Sequence, residues 1–241
     1  TKPNLERHKT KTDLRSNGSI QAKRMKQVKT GDDSVTYHNP KYDETYHSTS
    51  GAVEEACEKF VKPCKIEERS KEKDSIKVLD ICFGLGYNSC AAIDAAECKI
   101  FITALENDEE IIHRIKEVDP QFENYSLLKE LVRTKPRTHA WKLSTDQVNI
   151  KLILGDARDE IKKLKNKFDC IFLDPFSPKK CPELWTKEFM QDIYNVTAPG
   201  GILATYSCAK SVRDNLKEAG FKVEDGPCIG RKSPSTIATK Q

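Results

Sequence analysis

Two glycines, Gly84 and Gly86, stand directly behind a run ending Val78, Leu79 and Asp80 and directly before Asn88 and a small-residue stretch, NSCAAIDAAE. Glycine removes the side chain where backbone amides must come close to a partner. A strand, such a turn and a helix in succession also put a helix N-terminus under the turn, which suits negative or polar ligand groups. Glu106 closes the next apolar run, 20 residues after Gly86, where a carboxylate can accept hydrogen bonds from ribose hydroxyls. Asp156 in LILGDA is placed to meet an adenine amino group, and Asp174 follows FDCIFL. Any one of these acids alone reads as a helix cap or a solvated charge. Three at the ends of successive strands, behind a glycine turn, point to a nucleoside.

Such acids share a site only if their strands are parallel, so that the carboxyl ends fall on one edge. The periodicity supplies that arrangement. Apolar residues at 53, 56, 57, 60 and 61 predict a helix closed by Pro63. SIKVLDIC is then a strand, NSCAAIDAAE a helix, KIFITALE a strand, and DEEIIHRIKEV a helix stopped near Pro120. IKLILGDA, FDCIFLD and ILATYS are further strands, separated by helices in RDEIKKLKN and ELWTKEFMQDIYNVT, with another helix over 210 to 219. Alternation of this kind implies a parallel sheet. Residues 118 to 149 are polar, carry Pro120 and Pro136, and read as a partly helical insertion. The tail after residue 219 reads as two strands and a loop, a final antiparallel hairpin, which brings the count to seven strands.

LDICFGLG resembles the D-x-G-x-G-x-G turn of class I S-adenosylmethionine-dependent methyltransferases, with Cys82 in the first glycine slot and Ser89 where a dinucleotide fingerprint has its third glycine. The terminal hairpin, which an NAD-binding domain would lack, also resembles that Rossmann-like α/β fold. The cofactor so implied is S-adenosyl-L-methionine. FLDPFSPKKCPELW, residues 172 to 185, resembles the acidic-Pro-Pro-aromatic segment of methyltransferases that act on amino groups. Methyl transfer to nitrogen needs the lone pair about 3 to 3.5 Å from the carbon and aimed at it. Asp174 can hold an amine N–H and stabilise the positive charge growing on nitrogen, while Phe176 can stack on a base. An alkylamine is mostly protonated at neutral pH, and a neighbouring carboxylate favours that form. Asp174 is therefore an orienting and charge-stabilising group first, and whether it also takes the proton is open.

LDPFSPKKCPELW, the segment from APGGILATYS to GRKSPSTIAT, FGLGYN and YDETYHSTSGAVEEACEKF together resemble the methyltransferase domain of the MnmC family, over roughly residues 32 to 240. That family methylates the primary amine of 5-aminomethyl-2-thiouridine at the tRNA wobble position. The resemblance implies Asp174 and Phe176 at the reacting end. It implies Tyr46, Phe83, Gly84, Gly86, Asn88, Glu106, Asp156, Ala157 and Asp174 around the cofactor, with His47 and Glu54 in the cleft, although His47 reads equally well as a polar packing residue. Lys179, Lys180, Arg231 and Lys232 are expected near tRNA phosphates. Family members are often fused to an FAD-dependent oxidase that exposes the amine. Here a separate oxidase is expected upstream and only the methylation half-reaction in this chain, which is expected to be a monomer.

The charge is uneven along the chain. Residues 1 to 30 carry nine Lys/Arg against Glu6 and Asp13, a net +7, and the remainder nets −3, giving the overall +4. Residues 1–31 are therefore expected to be a basic arm able to meet a phosphate backbone, and 32–241 the methyltransferase domain. No apolar run approaches the roughly 20 residues of a membrane span, and TKPNLERHKT has no apolar stretch behind its charges. A cytoplasmic protein is expected. The nine cysteines include no C-x-x-C pair, which argues against a zinc site and a disulfide framework. Two rival readings use the same fold: an aminopropyltransferase of the spermidine synthase type, and a non-catalytic RNA-binding module.

Overall fold

Residues Ser75–Ile81 are apolar toward both sides of an extended chain: Ile76 and Val78 enter one core, Leu79 and Ile81 the other. A strand buried on two faces needs covering helices above and below and parallel neighbours. The structure, a computed structural model, describes residues 24–136, 138–230 and 232–241. In chain order, β1 (Lys26–Lys29), β2 (Val35–Asn39) and β3 (Glu44–Thr45) make a small antiparallel sheet. Helix α1 (Ala52–Glu55) runs into a π-helical turn, Ala56–Val61, and α2 (Ile66–Glu72) follows. The main body is β4 (Ser75–Ile81), α3 (Tyr87–Ala95), β5 (Lys99–Glu106), α4 (Glu109–Arg114), α5 (Tyr125–Leu131), β6 (Ala140–Ser144), β7 (Val148–Leu154), α6 (Ala157–Glu160), β8 (Phe168–Leu173), α7 (Lys187–Val196), β9 (Thr197–Thr205), α8 (Lys210–Glu218), β10 (Phe221–Asp225) and β11 (Thr236–Lys240).

The main sheet has the order β10-β11-β9-β8-β4-β5-β7-β6. Its centre, β9 to β7, is parallel, and β6, β10 and β11 are antiparallel to their neighbours. The parallel centre and the terminal hairpin agree with the expected architecture. The sheet has eight strands rather than seven because the stretch read as an insertion supplies one: AWKLS alternates buried and exposed residues and pairs with β7. The same stretch forms α5, whose Tyr125, Leu128 and Leu131 are buried on one helical face. Tyr125 Oη donates to the Leu85 carbonyl at 2.9 Å, bracing the glycine turn from behind.

The expected basic arm falls mostly on residues that are not described. Residues 1–23 lie outside the described residues, while Lys26–Lys29 is strand β1, in register with Val35 to His38. Asp32 fixes the turn between β1 and β2, accepting from Thr30 and Ser34, and its second oxygen caps α1 through the N–H groups of Val53 and Glu54. Tyr87 Oη donates to the Val35 carbonyl at 2.6 Å, docking the small sheet on α3. All nine cysteines are free thiols. Among the described residues no helix is long and apolar enough to cross a membrane.

Candidate active site

The sheet register decides what can meet. Ile81 is level with Leu105 on one side and Leu173 on the other, and Leu105 is level with Ile153. The next residues, Cys82, Glu106 and Asp174, therefore emerge side by side on the carboxyl edge. Chain direction diverges there, with β5 on one flank of β4 and β8 on the other, which opens a crevice. The crevice is a cavity of about 570 Å3 lined by residues that include Tyr46, Gly84, Glu106, Asp174 and Phe176. Its roof is the small sheet.

The turn after β4 is left-handed at three alternate positions: Cys82 (φ 68), Gly84 (φ 56) and Gly86 (φ 77). A non-glycine residue tolerates that region poorly, so Cys82 occupies a position whose backbone suits glycine, as its place in the motif implied. A Cβ on Gly84 would lie 3.4 Å from Tyr46 Cδ1, in the space above the turn. The Gly84 N–H donates to Glu106 Oε2 at 2.8 Å, and Glu106 Oε1 accepts from the N–H groups of Asn107 and Asp108. Burial lifts the Glu106 carboxyl to about 7 against the pull of these N–H donors.

Behind the turn, Asp80 shares the face of Val78 and so lies under α3, where Ser89 Oγ donates to it at 2.6 Å. Burial pushes its carboxyl up to about 7. Asn88, one residue earlier on α3, donates from Nδ2 to Asp174 Oδ2 at 2.9 Å, while its own Oδ1 is buried without a partner. Burial drives the Asp174 carboxyl well above the usual carboxylate range, with Glu55 adding to the effect and the Asn88 bond opposing it.

The loop after Asp174 is pinned at each residue. Tyr206 Oη donates to the Pro175 carbonyl at 2.9 Å, and Trp185 Nε1 donates to the Phe176 carbonyl at 2.8 Å. Glu44 on β3 accepts from both the N–H and the hydroxyl of Ser177. The Phe176 ring stacks on Tyr42 at 4.5 Å and meets Tyr46 edge-on at 5.0 Å. Tyr46 Oη donates to Asp108 at 2.6 Å. Residues on and beside β3, with Trp185 and Tyr206 from the other side, thus clamp the Asp-Pro-Phe segment, which makes it a rigid ledge.

Several expected residues lie elsewhere. The Phe83 ring is 3% exposed and enters the core, pressed against the place a Gly86 side chain would take, so it does not face the cavity. The left-handed turns at Cys82 and Gly84 send the ring inward. Gly86 is likewise a packing glycine: a Cβ there would meet Phe83 at 2.5 Å and Leu128 at 2.7 Å. Glu54 is exposed, and its neighbour Glu55 lines the cavity instead, because one step along a helix swings a side chain about 100°. Asp156 and Ala157 border a small side pocket of about 20 Å3 that shares Cys82 and Glu106 with the main cavity. The Asp156 carboxylate is already engaged, capping α6 and receiving the Arg158 guanidinium at 2.5 to 3.2 Å.

His47 borders the cavity but is 7% exposed, stacked on Tyr87 at 4.6 Å and bonded to Thr36. Burial pushes its imidazole down to about 4. Lys179, Lys180 and Lys232 are exposed, with Lys180 paired to Asp43 at 3.5 Å, and Arg231 lies outside the described residues. The site residues that spacing did not reveal are Tyr42, Glu44, Glu55, Lys59 and Tyr206. Their only sequence signal is that Glu55 and Lys59 share a helical face with Ala52, Ala56 and Phe60, an unusual place for charge.

Residues 119–241 match a family of S-adenosyl-L-methionine-dependent methyltransferases. The crystal structure of MnmC2 from Aquifex aeolicus superposes with a TM-score of 0.79 at 34% identity, over 91% of this chain and 71% of that one. The chain belongs to the MnmC-type S-adenosyl-L-methionine-dependent methyltransferases. An uncharacterized protein of Methanocaldococcus jannaschii is 35% identical over 214 residues, covering 88% of this chain and 59% of the relative. The bifunctional MnmC of Ralstonia nicotianae, named for tRNA 5-methylaminomethyl-2-thiouridine biosynthesis, is 30% identical over 214 residues, covering 84% of this chain. The chain spans only 33% of that relative's length.

S-adenosyl-L-methionine is the cofactor of this MnmC-type enzyme, and the residues present fit it. The space above Gly84, which a Cβ would fill, can take the sulfonium end of the nucleoside. Glu106 presents a carboxylate to it, and the orphaned Asn88 Oδ1 offers a buried acceptor beside Asp174.

Proposed function

We propose that the enzyme transfers a methyl group from S-adenosyl-L-methionine to the primary amine of 5-aminomethyl-(2-thio)uridine at the tRNA wobble position, giving the 5-methylaminomethyl form. The observation that carries this reading is Asp174, held by Asn88 at the cavity end of β8 and followed by a pinned Pro-Phe ledge. The relatives named for this tRNA modification support the choice of nucleoside.

The bound cofactor supplies an electrophilic methyl group on a sulfonium centre. Asp174 accepts an N–H of the incoming amine, which turns the nitrogen lone pair toward that methyl group. As the N–C bond forms and the methyl–sulfur bond breaks, S-adenosylhomocysteine leaves, and the positive charge arriving on nitrogen in the N-methylammonium product is stabilised by the same carboxylate. Phe176, backed by Tyr42 and Tyr46, offers an aromatic face to the unstacked uracil. Glu106 takes the ribose hydroxyls. The aminomethyl group itself comes from an earlier step, which we assign to an FAD-dependent oxidase, and the reaction takes place in the cytoplasm.

Mass spectrometry of nucleosides from undermodified tRNA incubated with the protein and cofactor tests the proposal. The expected result is conversion of 5-aminomethyl-2-thiouridine to its N-methyl form, with the other nucleosides unchanged. Persistence of the free amine, or methyl groups at other positions, would count against it.

A further inference from the structure

The mechanism above leaves one buried pair unused. Lys59 and Glu55 both line the cavity, with side chains 5% and 11% exposed, and Lys59 Nζ donates to Glu55 Oε1 at 2.7 Å. The other Glu55 oxygen accepts the Ser48 N–H at 2.8 Å, so the carboxylate is fixed at both ends. An ammonium group has three donors. Among the described residues Glu55 is the hydrogen-bond partner of Lys59, which leaves two donors toward the cavity.

Burying an ammonium group against one carboxylate is costly unless the remaining donors are met. The cavity wall offers them little, since it is acidic: Asp43, Glu44, Glu106 and Asp174 line it with Glu55. Among the described residues Lys59 is the one Lys or Arg on that wall. The cofactor carries a single anionic group, the α-carboxylate of its methionine end. In an acidic pocket that group has one electrostatically favourable place to go.

We propose that Lys59 is the cofactor-specificity residue: its ammonium group, held by Glu55, receives the α-carboxylate of S-adenosyl-L-methionine and selects against nucleosides that lack it. The inference rests on the cofactor given above and adds which group is read and by what. It also separates this site from one built for decarboxylated S-adenosylmethionine, which an aminopropyl donor site must accept.

Titration calorimetry of the full chain with S-adenosylhomocysteine and with methylthioadenosine, which lacks the amino-acid end, tests it. Lys59→Met is made together with Glu55→Gln, so that no carboxylate is left buried and unpaired. The double variant should bind S-adenosylhomocysteine about 30-fold more weakly or worse, the loss expected for one partner of a buried charged pair, while binding methylthioadenosine within about twofold of wild type. Lys59→Arg should keep most of the preference. Equal losses for both ligands, or no loss for S-adenosylhomocysteine, would overturn the proposal. A readout independent of variant folding is the wild type's choice between S-adenosylmethionine and its decarboxylated form: equal affinities would also overturn it. Wild-type protein that bound none of these nucleosides would instead remove the cofactor assignment on which the inference rests.

Discussion

Replacing Asp174 with alanine is expected to slow methyl transfer by about a hundredfold to a thousandfold, the usual effect of removing one preorganised charge-stabilising group, and to leave cofactor affinity nearly intact. The second half follows because Glu106, Gly84 and the roof residue Tyr46 surround the cofactor side of the cavity without help from Asp174. Asp174→Asn should fall almost as far, since it restores shape but not charge. Single-turnover kinetics with calorimetry on the same samples separates the two effects, and undiminished transfer in the alanine variant would remove Asp174 from the reaction. The pH dependence carries the sign. Burial and the neighbouring Glu55 raise the Asp174 carboxyl well above its ordinary range, so it is ionised above that raised value and loses its charge as pH falls through it. An alkylamine also sheds its proton only toward about pH 10. Wild-type transfer should therefore climb with pH in two limbs, and Asp174→Asn should retain only the limb that belongs to the amine.

Gly86→Ala is expected to destabilise the fold by about 2–5 kcal/mol, without any contact to the cofactor. The left-handed backbone at φ 77 costs a residue with a side chain about 1–2 kcal/mol, and overpacking against Phe83 and Leu128 adds about 1–3 kcal/mol. In a chain of this size that corresponds to a melting temperature lower by roughly 10 °C. Gly200 serves as the control. It is also left-handed (φ 71), but a Cβ there meets nothing within 4 Å, so Gly200→Ala should cost only the backbone part, about 1–2 kcal/mol. Equal melting temperatures for the two variants would show that the close approach at Gly86 relaxes freely.

The centre of this fold is legible in the sequence because β4 and β8 are buried on both faces over most of their length and β5 and β7 on one face, which forces dense apolar runs with turn residues between them. The acids that follow those runs are legible for the same reason: a strand end fixes where the next side chain emerges. The roof of the site is not. VTYHN and ET are short, polar and paired through the backbone, and nothing in their composition says that Glu44 will hold Ser177 from 133 residues away. Strand β6 is hidden in the same way, five residues in a polar stretch whose pairing is set by β7. The inward turn of the Phe83 ring has a local cause, since two left-handed residues beside it reverse the direction that an extended chain would give it. Glu54 and Glu55 show how narrow the margin is: one residue along α1 separates an exposed acid from one that faces the cavity. Asp156 was placed correctly at its strand end, but Arg158, two residues on, claims its carboxylate.

A crystal structure of the protein with S-adenosylhomocysteine tests the central claim most directly. The account predicts the nucleoside along the carboxyl edge of β4 and β5, with ribose hydroxyls on Glu106 and the sulfur above Gly84 facing Asp174 across a gap one nitrogen could fill. A nucleoside bound away from that edge, or a sulfur turned from Asp174, would contradict it.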